Sequence, residues 1–294
     1  MKNDIFYYDR YSQSLQKENI YGEAFIRFLY ESKAGHGLLW ILTQKFFSKL
    51  YGFYQNSFLS HSKIKPFIQK FNINMQEFEE TPFKNFNQFF IRSFKIGQRP
   101  FMPAGQVLSA FAEGRYLAFA NEAQQDFFKV KGELLSFVDL LKPEYQSFFK
   151  RGPVLISRLC PVDYHAFHFP TDGRVLAHYT FKGKLDSVSP IALKNNPELF
   201  FTNEKQITIL ETPQFGKLAY IEVGALCVGK IIQTFRQENF KKGDKKGHFL
   251  FGASTVILLG EPDKMILDTD IVQNSKNNRE TFIKLGDSLA KSVL

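Results

Sequence analysis

A serine between small residues near the C-terminus is the first candidate for chemistry. Ser254 follows Gly252 and Ala253 and precedes Thr255, inside an apolar run that otherwise has the composition of a strand. Strands rarely place small residues at their centre unless the backbone bends there or another group approaches closely. On this segment alone, a β-bulge before a buried strand is the simpler interpretation, because one Gly-Ser pair is a weak sign of a reactive site.

Two histidines three residues apart are the second candidate. His165 and His168 follow Asp163 closely, and an H-x-x-H spacing can place both imidazoles on one side of a turn or 3₁₀ segment. The pair could supply acid and base groups, half of a metal site, or two core side chains. Asp163 is a natural carboxylate to orient His165. Because the sequence has no H-E-x-x-H or C-x-x-C segment to supply further ligands, we expect no metal.

Conventional catalytic motifs do not surround these residues. The residues around Ser254 do not fit G-x-S-x-G, and the sequence contains no P-loop and no dinucleotide-binding fingerprint. One unusual chemistry is compatible with a serine beside a small residue, a histidine pair and the lack of a cofactor motif. In that chemistry the serine itself is converted into the cofactor.

The elements that must position these residues change character along the chain. Apolar residues recur at spacings of three and four in the first hundred residues, as at Phe25, Phe28 and Leu29, which predicts helices. From about residue 101, short strand-like runs alternate with glycine-containing turns. The sequence therefore predicts an α+β protein, with a helical, membrane-facing region over 1–100 and a β-rich, sandwich- or barrel-like catalytic domain over 101–294.

Composition excludes several classes of protein. The chain has 294 residues with 44% hydrophobic content, two cysteines and a net charge of +9. Two cysteines in apolar surroundings form no disulfide or zinc framework, which favours a reducing compartment. The N-terminus lacks the apolar core of a signal peptide, and no uncharged apolar stretch approaches the roughly 18 residues of a membrane span. We therefore expect a protein that does not cross a membrane.

A basic and aromatic stretch suggests a membrane surface as a partner. Between Lys33 and Lys70 there are six lysines and no Asp or Glu, and aromatic residues lie between them. Such a composition suits an anionic bilayer, and a basic solvated face over an aromatic core explains it equally well. The residues expected to contact the membrane are Lys45, Lys49, Trp40 and Phe47. Nucleic acid is not an expected partner, because no recognisable binding module is present.

Several separated motifs together resemble the phosphatidylserine decarboxylase family. The resemblance runs in order from about Phe46 to the C-terminus, and FNQFFIR at 86–92 is similar to the family's F-x-x-F-F-x-R segment. The further segments are RLCPVDYHAFHFP at 158–170, GKLDSVSP at 183–190, NE at 203–204, EVGALCVG at 222–229, and KGDKKGHF at 242–249 leading into FGASTVILL at 251–259. Collinear agreement at this many points identifies the chain as a member of that family.

The resemblance implies an enzyme that makes its own cofactor. Such an enzyme converts phosphatidylserine to phosphatidylethanolamine and CO₂ with a covalent pyruvoyl group, without metal or PLP. The group would come from Ser254 by self-cleavage at Ala253-Ser254, giving a 1–253 β chain and a 254–294 α chain that remain together as a heterodimer. The resemblance also implies a membrane-associated protein, and the lack of a targeting sequence leads us to expect it as a peripheral protein on the cytoplasmic face of the cell inner membrane. A homo-oligomer stays open.

Residue roles are implied in the same way. His168 would be the base that activates the Ser254 hydroxyl, Glu113 would orient His168, and His165 would return a proton after CO₂ leaves. Two positions depart from the family pattern: Ala253 stands where glycine is usual, and Glu113 where aspartate is usual. Two alternatives therefore stay open, namely a maturation-deficient, catalytically silent membrane-binding homologue and a pyruvoyl decarboxylase that acts on another amine.

Overall fold

A computed structural model describes most of the chain. The described residues are 4–42, 45–103, 105–121, 129–130, 133–134, 136–184, 186, 191–192, 198–225, 230–252 and 254–293. Its α-helices are α1 Glu23–Glu31, α2 Lys33–Leu42, α3 Lys45–Asn56, α4 Ile64–Phe71, α5 Phe86–Phe90, α6 Pro143–Phe149, α7 Leu199–Thr202 and α8 Thr269–Lys276. Short 3₁₀ helices span Phe58–Lys63, Met75–Glu77 and Phe137–Leu140.

Strands dominate the second part of the chain. They are β1 Phe6–Asp9, β2 Ser14–Lys17, β3 Val107–Ser109, β4 Gly114–Phe119, β5 Lys129–Val130, β6 Glu133–Leu134, β7 Val154–Leu159, β8 Ala166–His168, β9 Gly173–Phe181, β10 Lys205–Thr212, β11 Gly216–Val223, β12 Ile231–Gln233, β13 Asn239–Phe240, β14 Lys245–Phe249, β15 Ser254–Gly260, β16 Met265–Leu267, β17 Thr281–Ile283 and β18 Ser288–Ser292.

Ten of these strands form one large mixed sheet, in the order β13-β9-β10-β11-β15-β7-β4-β17-β1-β2. β1 and β17 pair in parallel, and the other neighbours pair antiparallel. Two three-stranded sheets accompany it, with the orders β12-β14-β8 and β16-β18-β3. The second histidine of the H-x-x-H pair, His168, ends β8 in the first of these small sheets.

β15 lies at the centre of the large sheet, between β11 and β7. All seven of its residues are buried, and residues 256–259 belong to the main apolar core. A run of apolar residues without alternation is typical of a strand that is covered on both faces. The apolar run after Ser254 is therefore a central strand, and Ser254 is its first residue.

A second apolar cluster connects the N-terminal helices to the segment before β15. Phe67 of α4 and Phe86, Phe89 and Phe90 around α5 pack together with Phe251. Aromatic residues dominate this cluster, and such pairs pack edge-to-face or offset. The helices therefore cover the chain immediately before Ser254.

The predicted α+β class is confirmed, but the N-terminal region differs from the expectation. Residues 6–17 form the β1–β2 hairpin instead of helix, and β1 joins the large sheet beside β17. Four-residue strands carry almost no periodic signal, and β1 is stabilised by a partner more than 270 residues away. In the described part of the chain no helix has the length and apolar character to cross a membrane.

Candidate active site

Ser254 is a buried serine at the start of β15. Its relative exposure is 0%, and the register of β15 places it opposite Leu159 of β7. Among the described residues Ser254 Oγ has no hydrogen-bond partner. A buried polar group without a partner costs about 1–3 kcal/mol, and a catalytic role is one reason for which native structures keep such a group. The hydroxyl is therefore available for chemistry.

The backbone just before Ser254 has an unusual conformation. Gly252 has a φ of 146°, a region that side chains other than glycine rarely adopt. Phe251 is fixed by its N–H, which donates to Asn87 Oδ1 at 2.9 Å. Ala253, and with it the predicted cleavage bond, lies outside the described residues. The approach to Ser254 is thus anchored at Phe251 and turned at Gly252.

His165 is fully buried beside this turn. Its Nδ1 lies 3.0 Å from the carbonyl oxygen of Asp163, and because a carbonyl only accepts, Nδ1 carries the proton in the neutral ring. Nε2 then bears the lone pair and lacks a partner of hydrogen-bond geometry within the described residues. Burial lowers the pKa of His165 to about 3, although the backbones of Asp163 and Gly252 raise it. His165 is therefore a neutral imidazole near Gly252.

His168 has both ring nitrogens occupied. Nδ1 donates to the carbonyl oxygen of Gly243 at 2.8 Å, and Nε2 lies 3.2 Å from the hydroxyl of Tyr164. Burial lowers the pKa of His168 to about 4, against a smaller raising effect of Gly243. Burial also raises the pKa of Tyr164, so its phenol stays protonated and donates to Nε2. His168 is thus neutral and engaged.

The predicted Glu113–His168 pair is not formed. Glu113 is buried and accepts from Arg99, with Nε to Oε2 at 2.5 Å and Nη2 to Oε1 at 3.0 Å. The N–H of Leu285 donates to Oε2 as well, at 3.2 Å. A guanidinium group matches the two oxygens of a carboxylate better than an imidazole does, and this competition explains the difference. Glu113 still lies near enough to raise the pKa of Tyr164.

Asp163 orients His165 by a different group from the one predicted. Its main-chain carbonyl, and not its carboxylate, contacts the imidazole. The carboxylate is a partner of Arg115 and accepts from the N–H of Cys160 at 2.7 Å. The Asp163 carboxylate therefore stabilises the 160–163 turn, and this turn positions the main-chain carbonyl that contacts His165.

Sequence reasoning assigned no role to three residues of the FNQFFIR segment that line this site. Asn87 holds Phe251, and the ring of Phe90 lies 3.9 Å from the ring of His165. Arg92 donates to the carbonyl of Val162 at 2.8 Å. The F-x-x-F-F-x-R motif was the available signal, but its contacts depend on the packing of α5 against the loop before β15.

The residues predicted to contact a membrane lie in α2 and α3. The side chains of Lys45, Lys49, Trp40 and Phe47 lie outside the described part of the structure. Large apolar side chains that are described nearby are exposed, with relative exposures of 68% for Phe46, 75% for Phe53 and 78% for Phe58. Within the described residues, no group of three or more His, Cys, Asp and Glu side chains could hold a metal ion.

Comparison with known proteins agrees with the motifs. The family model for phosphatidylserine decarboxylase matches residues 86–291. A phosphatidylserine decarboxylase proenzyme of Chlamydia pneumoniae is 39% identical over 291 residues, covering 97% of each chain. The proenzyme of Clostridium tetani is 40% identical with 98% of each chain covered, and that of Clostridium beijerinckii is 37% identical with 98% of this chain and 99% of its own covered.

Proposed function

The chain belongs to the phosphatidylserine decarboxylase family, and on this premise we propose that Ser254 is the residue from which it builds its catalytic group. It is a pyruvoyl-dependent lyase that converts phosphatidylserine to phosphatidylethanolamine and CO₂. Like its proenzyme relatives, it is made as a precursor that cuts itself into two chains. The pyruvoyl carbonyl supplies an electron sink for the electron pair that CO₂ leaves behind.

The observation that carries the proposal is the buried Ser254 hydroxyl with no described partner. In the cleavage step Ser254 Oγ attacks the carbonyl carbon of Ala253, and the hydroxyl proton goes to a base. The peptide bond is thereby exchanged for an ester. Loss of the Ser254 Cα proton then eliminates the new carboxylate of 1–253 and leaves a dehydroalanine at the start of 254–294. Water hydrolyses this dehydroalanine to the pyruvoyl group, and ammonia leaves. The glycine conformation at Gly252 supports the proposal, because a backbone turned just before Ser254 can present the preceding carbonyl to the hydroxyl.

We assign the base to His168, with Glu113 as its partner, and we assign proton return after CO₂ loss to His165. Both rings are neutral near pH 7, as a base requires. For His168 to act, its Nε2 must exchange the hydroxyl of Tyr164 for that of Ser254, and Glu113 must exchange Arg99 for His168. His165 is the second candidate for the base, because its Nε2 is free among the described residues.

The lipid substrate supports membrane docking by the N-terminal region. We propose that residues 1–100 form a peripheral membrane-association region in which Lys45, Lys49, Trp40 and Phe47 contact an anionic bilayer. Residues 101–294 would form the sandwich- or barrel-like catalytic domain. The exposed Phe53 and Phe58 support docking, because apolar side chains beside lysines insert shallowly at headgroup depth. The proposed location is the cytoplasmic face of the inner membrane, and a homo-oligomer is compatible with it.

The decisive experiment is a denaturing gel with intact mass of the purified chain. We expect two fragments, 1–253 and 254–294, the second lighter by one ammonia than a peptide that begins with serine. Ser254→Ala should stay full length, whereas Thr255→Val, which removes the neighbouring buried hydroxyl, should still be cut. A single full-length band from chain that decarboxylates phosphatidylserine would contradict the pyruvoyl mechanism. An uncut and inactive chain would instead identify the silent homologue.

A further inference from the structure

Two arginines face each other in the large sheet, beside the strand that begins with Ser254. Arg115 of β4 is directly opposite Arg158 of β7, and both side chains are buried. The other edge of β7 pairs with β15, where Arg158 is opposite Thr255. Like charges directly opposite each other destabilise a sheet. Buried carboxylates must therefore compensate this pair.

One of the compensating carboxylates comes from the N-terminal hairpin. Glu18, immediately after β2, accepts two hydrogen bonds from Arg158, at 2.9 Å from Nη1 and 2.7 Å from Nη2. It also lies 3.9 Å from Nε of Arg115. Burial raises the pKa of Glu18, but the charges of Arg158 and Arg115 outweigh this effect and set the pKa at about 2. Glu18 is therefore an ionised carboxylate between two guanidinium groups.

Glu18 also reaches the turn that orients His165. The thiol of Cys160 donates to Glu18 Oε1 at 2.6 Å, and the N–H of Cys160 donates to the carboxylate of Asp163. Asp163 in turn is the partner of Arg115. Among the described residues, Glu18 is the carboxylate that contacts both arginines and the turn. A continuous set of buried contacts thus runs from the hairpin to the carbonyl that holds His165.

We propose that Glu18 is a positioning residue for maturation: it holds Arg115, Arg158 and the 160–163 turn in the arrangement that places β7 against Ser254 and His165 beside Gly252. This inference rests on the proposed cleavage at Ser254. Glu18 lies outside the residues matched by the family model, 86–291. It makes the β1–β2 hairpin a part of the site, since Glu18 is tied to that hairpin by its N–H, which donates to Ile5.

The test compares three variants of the full chain. Glu18→Gln keeps the shape and removes the charge, and Glu18→Asp keeps the charge with a shorter reach. Asp4→Asn is the matched control, because Asp4 forms an exposed ion pair with Lys17 on the same hairpin. Each variant is synthesised in a cell-free system, the appearance of 254–294 is followed with time, and the folded fraction is measured by circular dichroism.

We expect Glu18→Gln to slow cleavage by roughly 10- to 100-fold in folded chain, since a small misplacement of the reacting Ser254 hydroxyl costs that much whatever the role of His165. Glu18→Asp should recover part of the rate, and Asp4→Asn should match wild type. In a Ser254→Ala background, which stays uncut, the ¹⁵N signals of the His165 ring should move with Glu18→Gln and not with Asp4→Asn. The His165 signals are assigned by their loss in His165→Gln.

Three results would overturn the positioning role. In the first, Glu18→Gln matures at the same rate as Asp4→Asn. In the second, Glu18→Gln loses rate only in proportion to its unfolded fraction, and the His165 signals do not move. In the third, neither Glu18 variant folds. Failure of the proposed function has a different signature. A Ser254→Ala chain that is still cut would refute cleavage at Ser254 whatever the Glu18 variants do.

Discussion

Ser254 and His165 have one condition in common, because each is fully buried and keeps one polar atom without a partner in the described structure. Stable cores satisfy such atoms, and functional sites leave them free for a reacting group. His168 differs, since Tyr164 and Gly243 occupy its ring. Among the described residues, Nε2 of His165 is therefore free, and Nε2 of His168 is engaged.

The two histidines should separate by reaction step. We expect His168→Ala to slow self-cleavage by about 10²- to 10⁴-fold, the range for losing a general base. His165→Ala should be cut and then lose decarboxylation by a similar factor. The measurements are a gel time course for cleavage and CO₂ release from phosphatidylserine for turnover. Tyr164→Phe is the control that frees Nε2 of His168 without removing the ring.

The reverse pattern would move the base to His165. If His165→Ala blocks cleavage and His168→Ala matures normally, the free Nε2 of His165 is the group that takes the proton of Ser254. Normal maturation and turnover in both variants would remove both histidines from the mechanism.

Gly252 should be needed for maturation because of its backbone angle. Gly252→Ala forces an alanine into a region that costs about 1–3 kcal/mol, so the turn before Ser254 should relax and cleavage should slow. Gly105→Ala is the matched control, since Gly105 has a similar φ of 133° with open space around it. Both variants should lose comparable stability in urea unfolding. Equal cleavage rates would mean that the backbone at Gly252 has no part in the reaction.

At the scale of elements, the site is made where three of them meet. β15 presents Ser254, the loop between β7 and β8 carries His165, and α5 holds Phe251 through Asn87. These three contributions come from different segments of the chain, so no single element contains the site. One of the helices that cover this junction, α4, also belongs to the basic and aromatic stretch between Lys33 and Lys70.

Membrane binding should depend on the lysines of these helices and the segment that follows them. Replacing Lys45, Lys49, Lys63 and Lys65 with glutamine should weaken cosedimentation with anionic vesicles, since each lysine near the surface contributes about 1 kcal/mol at low salt. Wild-type binding should fall as salt rises, because the Debye length shortens from about 10 Å at 0.1 M to about 3 Å at 1 M. Activity on detergent-dispersed substrate should change little.

A second variant with the same loss of charge tests whether vesicle binding depends on the N-terminal surface or on the net charge of the protein. Four exposed lysines elsewhere, Lys150, Lys182, Lys276 and Lys291, are replaced with glutamine in a second variant. This variant should keep most of its vesicle binding. Equal losses in both variants would mean that overall charge, and not the N-terminal region, attracts the protein to the bilayer.

At the scale of the whole molecule, cleavage should not take the protein apart. The segment 254–294 supplies β15 at the centre of the large sheet, β17 between β4 and β1, and β18 between β16 and β3. Residues 256–259 are buried in the main core, and each large apolar side chain there contributes about 1.5–3 kcal/mol. Strand pairing and core packing therefore keep 254–294 bound to 1–253 after cleavage.

The mature protein should therefore behave as an obligate heterodimer. We expect both fragments to coelute under native conditions and to separate only when the whole protein unfolds in urea. The unfolding midpoint of cut protein should rise with protein concentration, because two chains must reassociate, and that of uncut Ser254→Ala should not. Release of 254–294 well below the unfolding transition would contradict this account.

The sequence by itself determined the α+β class and the family, and it supplied the proposed reactive residues, because composition and short motifs such as those around Ser254 and His165 carry this information. The tertiary structure alone decided which groups meet. Arg99 pairs with Glu113 in place of His168, a carbonyl replaces the Asp163 carboxylate beside His165, and a hairpin forms the start of the region that was predicted to be helical.

The physical reason is that partners are chosen by competition between donors brought together from distant positions. Glu18 and Arg158 are 140 residues apart in sequence, yet they form one bidentate pair. Strand register fixes such distances, and a shift of one residue would turn every side chain to the other face. Local sequence patterns predict which groups can react, and the packing of the sheet determines which side chains these groups contact.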